Sequence, residues 1–205
     1  MTDSAFGLFQ LDEDLQEAVV STIRKWLPTY LALIERKVEL APRSIPLPRS
    51  YVLSDNGELN KKPEDQLPAV VVLCPGGGKI TPRQEGDGRI RAGYVVNVAC
   101  IVTARDHEST DKLARRYRKA LELILVHQPS LGGFAEASIF RGWRNDELLP
   151  EDDRTIAAGT NVFEVLVPDI SQAGKGLQAP LDDPYEEAEI PAVTEADVTL
   201  EPEAL

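Results

Sequence analysis

The stretch Gly76-Gly77-Gly78-Lys79 is the nearest approach in this sequence to a phosphate-binding loop, in which backbone amides cradle a phosphate and a lysine neutralises it. The motif needs a glycine five residues before its final glycine and a serine or threonine after its lysine. Those positions hold Leu73 and Ile80, so a flexible strand connection is expected instead. His107 and His127 are the two histidines, and a helix that carried both would hold them about 30 Å apart, too far to share a metal ion. No GxSxG elbow, HExxH helix or paired-cysteine zinc pattern occurs. Each histidine therefore reads as a surface or capping residue. Cys74 and Cys100 each lie in an apolar run, where a small buried thiol is the expectation. Carboxylates are abundant but concentrate in presumptive loops and in the C-terminal segment, where solvation explains them. No catalytic, cofactor-binding or metal-ligating residue is expected, and no cofactor.

Cations form the other chemically suggestive group. Arg115, Arg116, Arg118 and Lys119 fall on outer positions of a predicted helix, and Arg89, Arg91, Arg141 and Arg144 on or beside predicted strands. They admit two readings: an ordinary solvated surface, or an interface. In a ring the same residues could line a lumen that DNA crosses without sequence-specific contact.

The elements that would position them follow from periodicity. Leu15, Val19, Ile23, Trp26, Tyr30, Ile34 and Val38 recur every three or four residues, predicting an amphipathic helix, with a kink or a break into two shorter helices at Pro28. Pro42, Pro46 and Pro48 then hold an extended connector. Residues 51–53 fit a short strand within a long proline-rich and polar loop spanning 41–67. Residues 69–73 form a β-branched run typical of a buried strand, and 94–104 a longer strand with apolar Tyr94, Val96, Val98, Cys100 and Val102 on one face. A mobile hairpin tip is expected between them at 83–91. Ser109 or Thr110 is positioned to cap a second helix whose inner stripe is Leu113, Tyr117, Leu121 and Ile124. Residues 136–143 and 161–167 read as two more strands joined by an acidic loop at 146–153. The fold class predicted is α+β: a mainly antiparallel four-stranded sheet with two long helices on one face.

The chain has 205 residues and a formal charge of -12, which argues against a nonspecific duplex-DNA binder. Residues 171–205 contain nine acids and one base, a net -8, leaving -4 for the rest. With Pro180, Pro184, Pro191 and Pro202 among those acids, this segment is expected to be an extended acidic arm appended to a body of residues 1–170. Leu177, Leu181, Tyr185, Ile190 and Val193 are spaced as separate anchors for shallow pockets on a partner. No run reaches the ~20 apolar residues that a membrane span needs. Met1 to Gln10 lacks the pattern of a signal peptide, so folding in the cytoplasm without membrane association is expected.

Residues 94–169 resemble the tail terminator and neck proteins of long-tailed bacteriophages. The resemblance is carried by "YVVNVACIVTARD", then "STDKLARRYRKALELILVHQPSLGG", then two strands ending "GTNVFEVLVPD", with the amphipathic helix ahead of them. It implies a helix-flanked sheet whose copies close into a ring, six in number, that caps the tail tube beneath the head-to-tail connector. The partners implied are further copies of the chain, the major tail tube protein, the connector proteins and DNA passing through the lumen. The implied location is the virion tail or neck, after assembly in the host cytoplasm. The resemblance is one of elements and spacing, so it assigns no residue roles. A head-completion, connector or stopper protein is the alternative, with a small ligand-binding domain or enzyme further off.

Overall fold

A computed structural model of the chain describes residues 12–53, 66–75, 83–84, 89–151 and 154–172. Helix α1 runs over Asp12–Lys37, with Asp12, Glu13 and Asp14 in its first turn and Arg36 and Lys37 in its last, charges that complement the helix dipole. It buries Leu15, Val19, Ile23, Leu27, Leu31 and Ile34. The apolar stripe is wider than the three-and-four spacing implied, for Val20, Leu27 and Leu31 join it, whereas Trp26 is half-buried and Val38 lies exposed past the helix end.

Of the kink or break expected at Pro28, the break does not occur: α1 is one helix across it. Pro28, and Arg24 whose carbonyl loses its amide donor, both lie on the exposed side of the helix. Burial of the stripe on both sides then holds the helix together.

The connector after α1 is organised by a buried acid that sequence periodicity did not single out. Glu35 is 5% exposed, and its carboxylate accepts from the backbone amides of Ile45 at 2.8 Å and Arg43 at 3.0 Å. Arg43 has φ of 64°, a left-handed conformation that an L-residue keeps only when its surroundings hold it. The bond to Ile45 leads in pulling the Glu35 carboxyl below its ordinary 4.5, against the opposing effect of burial, with Arg43 and Ser44 adding to the lowering. Because the folded value is depressed, this stabilisation is complete above about pH 4.5 and disappears as pH falls through the folded value. Glu35→Gln is expected to lower the thermal midpoint by roughly 5 °C at pH 7. The two melting curves should converge in acid, and a gap that widened below pH 4 would refute the clasp.

Strands β1 (Ser50–Leu53), β2 (Ala69–Leu73), β3 (Arg83–Gln84) and β4 (Arg89–Thr103) precede helix α2 (His107–His127), and β5 (Ala137–Glu151) and β6 (Arg154–Gln172) follow a short 3-10 turn at Leu131–Gly133. The sheet order is β1-β2-β4-β6-β5, with the two-residue β3 paired to β4 off this path. The architecture is thus α+β with two long helices and a five-stranded mixed sheet in place of the four-stranded one expected; the sheet is mainly antiparallel, the pair β1–β2 alone among the described strands being parallel. The fifth strand is β1, the short strand expected at 51–53 within the 41–67 loop, and it runs parallel to β2, Tyr51 beside Val70. A local alternation of residues does not distinguish parallel from antiparallel partners, since the side-chain period is two in both.

Two further expectations change. The acidic loop at 146–153 is largely strand: β5 and β6 form a hairpin whose ladder continues to Glu151 opposite Arg154. Backbone pairing continues there despite polar side chains. β6 also runs to Gln172, two residues past the expected end of the body, with Gln172 beside Arg89. β3 pairs with the start of β4, Gln84 opposite Ile90, on either side of the tip expected within 83–91, whose residues 85–88 lie outside the described residues.

α2 starts one turn earlier than expected. Its N-cap is Asp106, whose carboxylate accepts from the Ser109 amide at 2.8 Å. Thr110, read as a possible cap, is buried; its hydroxyl donates to the Asp106 carbonyl at 2.7 Å and accepts from the Ala104 amide at 3.1 Å. It tethers the end of β4 to the helix.

Both helices pack on one face of the sheet. There Leu15, Ile23, Tyr117 and Leu121 meet Val70, Val96, Val98, Cys100, Phe163 and Val165 in the main core. The opposite face carries a smaller cluster around Val71 of β2 and the odd positions Ala99 and Ile101 of β4. α2 lies close to the sheet at Gly159, where a Cβ would come 3.2 Å from Arg118 Cβ and 3.4 Å from the Ala114 carbonyl oxygen. A side chain here would have to displace Arg118 by a few tenths of an ångström. Beside it, the Asn161 amide nitrogen donates to the Arg118 carbonyl at 2.8 Å.

Candidate assembly interface

β5 forms one border of the sheet, and it carries an exposed tryptophan, Trp143, 54% accessible. Strand alternation alone would put Trp143 and Phe140 on opposite faces. A bulge between Phe140 and Gly142 inserts one residue, so that Phe140 pairs with Phe163 and Trp143 with Asn161, both on the helix side. Gly142 at φ 149° accommodates the irregularity. The sequence signal was present as two aromatics three residues apart, astride a glycine, inside a predicted strand.

Trp143 does not stand alone. The guanidinium of Arg118, from α2, lies 4.0 Å from its ring centroid, a cation–π contact across the α2–β5 boundary. Partial burial, followed by the nearby Arg115 charge, lowers the pKa of Arg118. Along the same side of α2, Arg115 pairs with Asp111 at 2.8 Å and Lys119 pairs with Glu122. The outcome is an aromatic and arginine shelf flanked by neutralised charges. Tryptophan and arginine are the residue types that dominate binding energy when a partner desolvates them.

The eight cations singled out from sequence do not form one patch. Arg116 is 200° around α2 from Arg118 at 100° per residue, on the other edge of the helix. Arg141 and Arg144 lie on the sheet face away from the helices. Arg141 is paired there with Glu164, its Nε donating at 2.6 Å, and Arg144 is exposed opposite Thr160. Arg91 is ion-paired to Glu136 at 3.2 Å. Arg89 is described by its backbone, in the β4 ladder beside Gln172. Sequence spacing identified the cations but missed Asp111, Glu122, Glu136 and Glu164 as their partners. Two of these, Glu136 and Glu164, are distant in sequence from the arginines they meet.

The other sequence candidates are placed apart. His107 and His127 are the first and last residues of α2, and His127 Nδ1 lies 2.8 Å from the Tyr30 hydroxyl, joining the two helices. Cys74 and Cys100 are buried thiols not joined in a disulfide, and burial pushes the Cys100 thiol up. Among the described residues no group of three or more histidine, cysteine or acidic side chains could hold a metal ion. None of the described helices is long and apolar enough to cross a membrane. Gly76, Gly77, Gly78 and Lys79, and the anchors Leu177, Leu181, Tyr185, Ile190 and Val193, lie outside the described residues. No protein-family model matches the chain, and no curated protein matches it.

Proposed function

We propose that this chain is a non-enzymatic structural protein of a phage virion, a tail terminator whose copies close into a ring that caps the tail tube and joins it to the head-to-tail connector. The observation that carries the reading is the exposed Trp143–Arg118 shelf on a sheet border, attached to a body whose two helices cover a single sheet face. A tryptophan left half in water on an outer strand suits a protein whose surface is completed by another chain. The element order agrees with the resemblance in residues 94–169. A repeated head-to-tail contact closes into a ring, so an interface of modest affinity becomes strong once the last contact forms.

In this reading residues 173–205 serve as an acidic arm over neighbouring subunits, the remainder of the arm expected from 171 onward. DNA crosses the lumen without sequence-specific contact. With Arg91, Arg115, Lys119 and Arg141 already facing carboxylates, the ring lumen is close to neutral rather than strongly basic on account of these residues. The partners are the tube protein below and the connector above. Native mass spectrometry of the purified chain and electron microscopy of assembled tails test the proposal. Six copies at one level are expected, and a single copy per particle would exclude a terminator ring.

A further inference from the structure

Residues 24–49, the second half of α1 with the connector, carry six cations against Glu35 and Glu39, a net +4 in a chain of -12. Arg36, Lys37 and Arg43 are exposed, and among the described residues none of them faces a carboxylate at ion-pair distance. The Glu35 carboxylate is buried and engaged by the amides of Arg43 and Ile45, leaving Glu39 as the exposed acid of the stretch. The same bonds seat Arg43 beside the last turn of α1, so the three cations share one end of the helix. Leu33, one turn before Arg36 and Lys37, and Val38 are exposed among them. Cations at this end complement the helix dipole, but two large apolar side chains left in water beside them do not follow from it.

A surface that mixes unpaired cations with exposed aliphatic groups fits an acidic peptide with apolar anchors better than a phosphate backbone, which brings charge without apolar side chains. The C-terminal arm supplies such a peptide. Residues 181–190, reading LDDPYEEAEI, contain five acids and no base, with Leu181, Tyr185 and Ile190 spaced among them. Two such segments repel each other, whereas the segment and the end of α1 attract.

We propose that residues 181–190 of a neighbouring copy dock across the end of α1 and the connector, their acids against Arg36, Lys37 and Arg43 and their apolar anchors against Leu33 and Val38. The donor is a second copy because of where the chain leaves the sheet. α2 begins beside the end of β4, where Thr110 bonds Ala104 and Thr103 pairs with Ile156 of β6, and by Arg118 it has reached Asn161. Next to Arg118, Tyr117 holds the connector through the Pro46 carbonyl. Gln172 ends β6 roughly 35 Å further along the strand, with the chain heading away from the connector. Leu181 follows nine residues later, a span of at most about 30 Å at full extension, so the start of the segment does not return to the patch of its own subunit. In a head-to-tail ring each copy gives an arm to one neighbour and receives one from the other.

The inference rests on the ring reading, and a cross-linking experiment on the full chain separates the two. One preparation carries Ala41→Cys, at an exposed site between Lys37 and Arg43, and another Ala188→Cys, with Leu33→Cys and Tyr185→Cys as a second pair should either first variant fold poorly. The native Cys74 and Cys100 are buried and do not compete. After mixing, assembly and treatment with a short bismaleimide, a band at twice the chain mass is expected. Arg36→Glu with Lys37→Glu in the first preparation should reduce its yield at least ten-fold, and Asp182→Lys with Asp183→Lys in the second should restore it against that pair. Arg43 is left unchanged because its amide holds Glu35. Rings that form without a cross-linked band, or with a band indifferent to the charge reversal, overturn the docking and leave the ring standing. A cross-link confined to single chains bearing both cysteines overturns the second copy as donor. Retention of a short duplex DNA by the parent chain, with no band, would assign the patch to a phosphate backbone instead. A band without rings keeps the arm contact and refutes the ring reading; absence of both refutes both.

Discussion

Replacing Trp143 by alanine should abolish ring assembly while leaving the thermal unfolding of the isolated chain within a few degrees of the parent. Half of the Trp143 side chain is already in water, so its removal opens no cavity in the core and removes chiefly the stacking of Arg118. A binding hot spot loses at least about 2 kcal/mol on truncation, roughly a thirty-fold weakening of each contact. In a closed ring every subunit repeats that loss, so closure weakens far more steeply than a single pair. Trp143→Phe keeps an aromatic face for Arg118 and should assemble at reduced yield. Sedimentation or native mass spectrometry reads the assembly, and calorimetry reads the fold. Rings of undiminished abundance with Trp143→Ala would remove the shelf from the interface; a collapse in thermal stability would make Trp143 a structural residue instead.

The largest effect on stability is expected at Tyr117. Its side chain is fully buried in the centre of α2, and its hydroxyl donates to the carbonyl of Pro46 in the connector. Tyr117→Ala removes an aromatic ring from a close-packed core, a loss of about 3–5 kcal/mol for substitutions of this kind. Tyr117→Phe keeps the ring and deletes the hydroxyl, leaving the Pro46 carbonyl without that donor, a loss of about 1–3 kcal/mol. The difference between the variants separates packing from the tether. Chemical denaturation with an unchanged slope should show both losses, Ala the greater. If Tyr117→Phe were neutral, the hydroxyl would not tether the connector, leaving Glu35 and the buried Ile45 to hold it.

How much of this was legible in the sequence varies with the range of the interaction. α1 and α2 were readable because Leu15, Val19, Ile23 and Tyr117, Leu121, Ile124 repeat at the helical period, and each helix buries the face that the period marks. β2 and the even face of β4 were readable for the same local reason. The cap of α2 was misread because Asp106, Ser109 and Thr110 are all competent caps. Which of them performs the task depends on where β4 delivers the chain, and burial of Thr110 decides it.

The sequence by itself determined the helices, most of the strands, the acidic C-terminal segment and the α+β class, since these follow from residue type and spacing over a few turns. Tertiary structure alone decided the parallel position of β1, the reach of the β5–β6 hairpin and the continuity of α1 through Pro28. It also decided the site. Arg118 meets Trp143, Arg141 meets Glu164 and Glu35 meets Ile45 because packing at Gly159, the bulge after Phe140 and the turn of the connector bring them together. Periodicity reports which way a side chain faces. The residue it faces is set by strand register and helix placement, which depend on contacts between distant parts of the chain.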